Sequence, residues 1–440
     1  LTFGRGAHAP RLFCHGSLGQ TFSLTQDALD PFLQGPILRS DFLMIPCIRG
    51  VIPIPQLNNI SPFSFLTAGQ IRFGRGTAKA ATEDVARFGR RVLLVRGRAV
   101  SQVDDISTHL EQLGCTVTSV FAQGEPTCSD VDAATELGRA AKVDVILAIG
   151  GGAVLDLGKA VAAMIPTQGN VIDYLEGVGG ARPLTADPLP CVAMPTTAGT
   201  GSEVTKNAVV SVPSAGRKVS LRDNRMLPRL AVIDPFFSDG TPASVTFSSG
   251  FDAVTQVIEP YLSIKANPLT DSLCRAAIPL GLTALAQLAR QEDEKARDQI
   301  AYVSLIGGIA LANAGLGAVH GLAGVIGGRF SAPHGLICAR LLGPVLRLNR
   351  EAERAASGDD KRYSDIATWM SAAFDVSSLT AFEMLNSQLD DLALPRLGQW
   401  IEPGTDLRAI SAEALTTSSI KSNANVLTVD QLSSAVEDAL

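Results

Sequence analysis

The chain has 440 residues, of which 46% are hydrophobic and 18% charged. That length exceeds one ordinary core and suits two domains, and the apolar content leaves no room for general disorder. The net charge of -6 with no Lys/Arg run excludes the usual signature of a nucleic-acid partner, and apolar stretches broken well short of the ~20 residues of a span argue against a membrane protein.

The first stretch, residues 1–61, is rich in Pro, Phe and Leu and has no clear period. Its Arg5, Arg11, Arg39 and Arg49 are nearly balanced by Asp27, Asp30 and Asp41. The arginines fit a targeting peptide, but the three aspartates weigh against one, so a loosely ordered extension is expected. From residue 62 the text becomes α/β. Residues 91–95 read as a buried strand bounded by Arg96-Gly97-Arg98, followed by a helix over 103–113 and a second strand over 116–121. A helix over 129–141 opens on Ser129-Asp130 as cap candidates, and a third strand over 143–149 runs into Gly150-Gly151-Gly152 and the next helix. Residues 190–194 form another strand. Strands alternating with helices imply a doubly wound, mostly parallel sheet. After Asp234-Pro235 helical periodicity takes over, at 249–262, 270–290, 298–313 and beyond. The expected organisation is an extension over 1–61, a dinucleotide-binding α/β domain over 62–234 and an all-α metal and substrate domain over 235–440.

Seven cysteines, at 14, 47, 115, 128, 191, 274 and 338, are scattered, odd in number and without a C-x-x-C pair. This argues against a disulfide scaffold or zinc ribbon and suits reduced thiols in a cytoplasmic protein.

Two loops carry the first functional signal. Gly150-Gly151-Gly152 lies between a buried strand and a helix, where backbone N–H groups and the helix dipole favour a pyrophosphate. The spacing is not G-x-G-x-x-G, and a plain tight turn explains three glycines about as well. The run Pro195-Thr196-Thr197-Ala198-Gly199-Thr200-Gly201-Ser202-Glu203 also follows a buried strand. Two small-residue loops at strand C-termini mark where open α/β sheets bind ligands. An ordinary loop capped by Ser202 or Thr200 is the plainer alternative.

The second signal is a set of metal-ligand types. Of the five histidines, at 8, 15, 109, 320 and 334, two lie in the helical half. Asp252 and Gln256 are spaced i, i+4 and share a helix face. His320 is expected at the end of a small-residue helix over 310–319, and His334, between Pro333 and Gly335, at a turn or helix start. Imidazole with carboxylate suits Fe2+ or Zn2+. Taken singly, a hydrogen-bonded core histidine and a helix-capping Asp252 explain the same residues.

These features resemble one family. Gly150-Gly151-Gly152 with Asp156 and Lys159, the 195–203 loop, Asp234-Pro235, Phe251-Asp252-Ala253 with Glu259, Ala266-Asn267-Pro268, Gly315-Leu316-Gly317-Ala318-Val319-His320 and Ala332-Pro333-His334-Gly335 follow one another as in the iron-containing (group III) alcohol dehydrogenases, which share their fold with dehydroquinate synthase. The resemblance spans residues 62–440. It implies a dinucleotide in the N-terminal domain, held by Gly97, Gly150, Gly151, Gly152, Asp156, Lys159, Thr196, Thr197, Thr200 and Ser202. It implies a metal in the helical domain, and a cleft between the two as active site. The family's ligands are one Asp and three His. Asp252, His320 and His334 fall on three of these positions and Gln256 stands at the fourth, where an amide oxygen is a weaker, neutral donor. A further family histidine, beside the nicotinamide, is here Gly324.

The expected reaction is hydride transfer between NAD(P)(H) and a small alcohol or carbonyl substrate, with Asp252, His320 and His334 catalytic through a metal that polarises the substrate oxygen. The proton would come from a water or a substrate group, since Gly324 offers none. The acid that binds the adenosine ribose 2′-OH in the family is missing from Arg96-Gly97-Arg98, which favours NADP through arginine contacts to a 2′-phosphate. Three alternatives stay open. One is an enzyme like the maleylacetate reductases, which do not rely on a tightly held metal. Another is a sugar-phosphate cyclase or lyase of the same fold, for which Lys265, Arg275 and Arg329 are too scattered. The third is a non-catalytic dinucleotide-binding relative, motivated by Gln256 and Gly324. A homo-oligomer is the family expectation.

Overall fold

The computed structural model describes residues 60–98 and 102–440, together with the backbone of three short strands before them, and divides into units 1–59 and 60–440. In the first unit β1 (Thr2–Gly4), β2 (Arg11–His15) and β3 (Thr21–Leu24) pair antiparallel in that order. The expectation for 1–61 otherwise lies outside the described residues.

The second unit begins with a six-stranded sheet made of β4 (Ile71–Phe73), β5 (Arg91–Arg96), β6 (Thr116–Phe121), β7 (Val145–Gly150), β8 (Cys191–Pro195) and β11 (Leu230–Ile233). Their order is β4-β11-β8-β7-β5-β6, and every pairing is parallel. Such a sheet must be covered on both faces, and the central strands are apolar throughout for that reason. In β5, Leu93 and Val95 face one core while Val92 and Leu94 face another. Helices α1 (Thr77–Ala80), α2 (Thr82–Phe88) and α3 (Gln102–Gln112) cover one face. Helices α4 (Cys128–Ala140) and α5 (Gly152–Met164) cover the other. The expected doubly wound parallel sheet is present.

Some local expectations are corrected. Helix α4 starts one residue early and is capped by Thr127, whose hydroxyl accepts from the Asp130 N–H while Asp130 accepts from Thr127 N–H, a reciprocal capping box. Strand β7 starts after Asp144, whose carboxylate instead accepts from the Arg91 N–H at 2.7 Å. An antiparallel hairpin of β9 (Asn207–Val212) and β10 (Arg217–Arg222), unanticipated, packs against α5 through Ala208, Val210 and Leu221.

The rest is helical, as expected: α6 (Ala243–Leu262), α7 (Pro268–Arg290), α8 (Glu294–Ala314), α9 (Ala318–Phe330), α10 (His334–Ser357), α11 (Lys361–Phe374), α12 (Ala381–Asp391), α13 (Leu407–Ala414) and α14 (Val429–Glu437). Helix α7 has the length and apolarity of a membrane span, yet its Ala277, Ile278, Leu282 and Leu285 are buried in the helical core. Helix α6 starts six residues before the expected position, so Asp252 sits in mid-helix and is no cap. The small-residue helix breaks at Gly315, which has a positive φ of 72°, and His320 falls in the first turn of α9 instead of at a helix end. His334 opens α10, as one of its two anticipated placements.

Candidate active site

The two loops meet each other. Gly150 ends β7, Gly151 precedes α5 and Gly152 begins it. A methyl group at Gly152 would come within 2.8 Å of Thr200, so the 195–203 loop closes directly over the start of α5. Gly151, Gly152, Thr197 and Thr200 keep partial exposure there, while Gly150, Thr196 and Ser202 are buried. The first N–H groups of α5 have no helical acceptor and no acidic side chain in the first turn.

Beneath this surface lies a polar brace. The Lys159 side chain has no exposure, and its ammonium donates to Ser202 O at 2.9 Å, Thr205 Oγ1 at 3.0 Å and Asn207 O. Asp156 pairs with it at 3.1 Å, accepts from the Ser202 hydroxyl at 2.6 Å and from Val209 N–H at 3.0 Å. Lys159, Asp156 and Ser202 thus satisfy one another and the loop backbone, and so hold the loop in place. Glu203 is buried beside a small cavity lined by Thr196, Thr197 and Ser304. Burial, against weaker pull from its own N–H and Lys159, raises its pKa to about 7.

The loop is pinned to the helices. Gly201 has φ +58°, and a methyl group there would lie 2.5 Å from the Gly308 backbone in α8. From α6 the Gln256 amide donates to Gly199 O at 2.8 Å. Asp252 stands one turn before Gln256 on the same helix.

Asp252, His320 and His334 converge, and a fourth side chain joins them. One donor atom from each of Asp252, His320, His334 and Cys338 lies within 4.8 Å of all the others. Asp252 Oδ1 is 3.3 Å from His320 Nε2 and 3.8 Å from His334 Nε2. Cys338 Sγ is 3.8 Å from His320 Nε2 and 3.7 Å from His334 Nε2. Gln256, expected as the fourth member, directs its amide nitrogen to the loop carbonyl. The cysteine pattern alone does not single out Cys338, but His334 and Cys338 are spaced i, i+4 in α10 and share one face.

Glu259, also without an anticipated role, orients the site. Its carboxylate accepts from His320 Nδ1 at 2.6 Å and from Val319 N–H at 2.7 Å, which turns Nε2 towards Asp252 and Cys338. The electrostatics favour positive charge at this point. Burial works against the charged form of His320, but Cys338, Glu259 and Asp252 outweigh it and hold its pKa well above the imidazole range. Cys338 is the largest cause that raises His334 to about 9, against burial. Burial would raise the Asp252 carboxyl, yet the hydrogen bond to His320 and the charges of both rings keep it below its ordinary value. The group opens on one side only, with His334 38% exposed against 3% for Asp252 and 5% for His320. Gly324, one turn after His320 in α9, is exposed and has open space where a side chain would begin.

At the other end of the loops, Arg96 is buried, pairs with Asp104 and lies 5.5 Å over the Phe121 ring. Arg98 is exposed and 5.9 Å over the same ring, with Gly97 between them.

Comparison with known proteins agrees with this architecture. Residues 68–235 match the model for iron-containing alcohol dehydrogenase, and residues 246–440 match the model for the C-terminal part of the Fe-containing alcohol dehydrogenase family. Alcohol dehydrogenase 4 of Schizosaccharomyces pombe is 34% identical over 301 residues, which cover 67% of this chain and 69% of that one. A 1,3-propanediol dehydrogenase of Citrobacter freundii is 35% identical over 305 residues, covering 67% and 76%. The crystal structure of a 1,3-propanediol oxidoreductase superposes with a TM-score of 0.78 at 29% identity, over 86% of this chain and all of that one. The chain therefore belongs to the iron-containing alcohol dehydrogenase family and is an oxidoreductase of the alcohol dehydrogenase class.

Proposed function

We propose that the enzyme interconverts a small alcohol and its carbonyl compound with a nicotinamide cofactor and a divalent metal ion, using NADP in preference to NAD. The convergence of Asp252, His320, His334 and Cys338 beside the pinned loop carries this reading. When bound, the ion supplies Lewis-acid polarisation of the substrate oxygen and the nicotinamide gives or takes the hydride.

The chain's own residues do the remaining work. Gly151, Gly152 and the first N–H groups of α5 offer donors to a pyrophosphate, and Thr197 and Thr200 offer hydroxyls alongside. Lys159 and Asp156 hold the loop in that position from below. Asp252 and the two imidazoles present their lone pairs to one point, with Glu259 fixing the tautomer of His320. The exposed side of His334 and the space at Gly324 admit the substrate. Gly324 places no acid next to His320, so the proton reaches the product from solvent or from the substrate itself. Arg98 is the arginine positioned to meet a 2′-phosphate, since Arg96 is engaged with Asp104.

The lyase alternative is disfavoured because Lys265, in the turn before α7, and Arg275, on α7, are exposed and Arg329 is bound to Glu413. The deciding measurement is oxidation of NADPH and of NADH, followed at 1:1 stoichiometry with small aldehydes. Net oxidation is expected, faster with NADPH, and the preference should shrink about 10-fold in Arg98→Ala, a loss of one charged hydrogen-bonding group. A protein that turns aldehyde over without consuming reduced cofactor, or none at all, would end the reading.

A further inference from the structure

The metal centre has a fourth donor that differs in kind from the one its sequence position suggests. The Gln256 amide nitrogen donates to Gly199 O at 2.8 Å, with Gly307 close behind its Cβ, so one end of the amide serves the loop. Cys338 is fully buried and its sulfur stands 3.7–3.8 Å from both Nε2 atoms that face the site. A four-coordinate centre with bonds of about 2.0–2.3 Å spaces neighbouring donors roughly 3.3–3.6 Å apart. Four of the six pairwise separations, 3.3, 3.8, 3.8 and 3.7 Å, lie within a few tenths of that spacing, and all six are within 4.8 Å.

We propose that Cys338 is a metal ligand, completing an Asp252, His320, His334 and Cys338 centre in place of Gln256, and that this centre selects zinc over ferrous iron. The inference rests on the metal-assisted reading above. A thiolate is a soft donor and shifts preference towards zinc, which is also bound more tightly than ferrous iron by most nitrogen and sulfur sites. The charge balance changes too. One carboxylate and one thiolate cancel the two charges of the ion, whereas one carboxylate with three imidazoles leaves a net positive centre. Gln256 becomes a positioning residue that couples helix α6 to the cofactor loop.

The test uses the full chain, stripped and reloaded with zinc, ferrous iron or cobalt. Metal content is measured together with the absorption of the cobalt form. One ion per chain is expected, zinc outcompeting ferrous iron, with a near-ultraviolet thiolate-to-cobalt charge-transfer band. In Cys338→Ser the band should vanish and zinc affinity fall by more than about 100-fold, beyond the loss typical of an outer partner. In Gln256→Ala the band and the stoichiometry should persist. A cobalt form of the unaltered protein without the band overturns the proposal even if Cys338→Ser fails to fold, and so does a band that survives Cys338→Ser. If the protein binds no ion yet still oxidises NADPH with aldehyde, the ligand proposal and the metal assistance both fall while the hydride chemistry stands. Metal bound without a sulfur signature sinks the ligand proposal alone.

Discussion

The sheet side and the helical side of this site are built on different principles. On the sheet side, backbone does the presenting: Gly151, Gly152 and the 195–203 loop expose N–H groups and small hydroxyls, and a buried Lys159–Asp156 pair holds them up from within one contiguous stretch of fold. On the helical side, side chains from α6, α9 and α10 reach a common point across 86 residues of sequence, from Asp252 to Cys338. The first kind of site is fixed by local geometry and tolerates exchange of the exposed groups. The second depends on helices arriving in register, so that a donor lost on one can be supplied by a neighbour.

That contrast can be broken or sharpened by experiment. The largest effect is expected on the sheet side. Lys159→Met removes the buried ammonium shared by Ser202 O, Thr205 Oγ1 and Asn207 O and strips Asp156 of its counter-charge, leaving it only the bonds from Ser202 and Val209. Breaking such a pair from one side costs about 3–5 kcal/mol, so a lowered denaturation midpoint with cofactor binding lost in parallel is expected. A variant as stable as the parent would show that the brace is dispensable. On the helical side, Glu259→Gln should instead spare the fold and weaken metal binding by about 10–100-fold, as loss of a carboxylate behind a ligating histidine does. Metal titration against a chromophoric chelator reads this directly, and undiminished affinity would remove Glu259 from the site.

Glu203 tests the sheet side by pH. Its pKa is raised from 4.5 to about 7, so the folded protein binds its proton more tightly than the unfolded chain does. The stability contribution is complete below about pH 4.5 and is lost as pH rises through 7. Glu203→Gln should therefore match the parent near pH 4 and exceed its stability above pH 7, by about 3 kcal/mol from a shift of this size. Parallel stability curves across that range would place the carboxyl in a polar setting. The smallest effect belongs to Thr127→Ala, which removes one helix cap and should cost about 1 kcal/mol with kcat unchanged.

Much of this was legible before the structure. Parallel strands covered on both faces leave unbroken apolar runs, which is why β5, β7 and β8 could be read nearly to the residue, and the loops that follow them with them. Asp252, His320 and His334 were recognisable because a motif surrounds each. Glu259 stood out only as part of a motif, without a role, and Cys338 not at all, since their meaning arises only when α9 and α10 pack against α6. The His334–Cys338 spacing was the available clue. The hairpin β9–β10 escaped notice because neither strand lies in the main sheet, and β4 and β11 are too short, at three and four residues, to announce themselves.

The contact between Gly201 and Gly308 has a mechanical consequence. With backbone against backbone and no side chain to deform, it leaves the 195–203 loop and helix α8 no room to slide past each other at this spot. Any relative motion of loop and helix must then turn about it as about a fulcrum, with the widest travel at the points farthest from these two glycines.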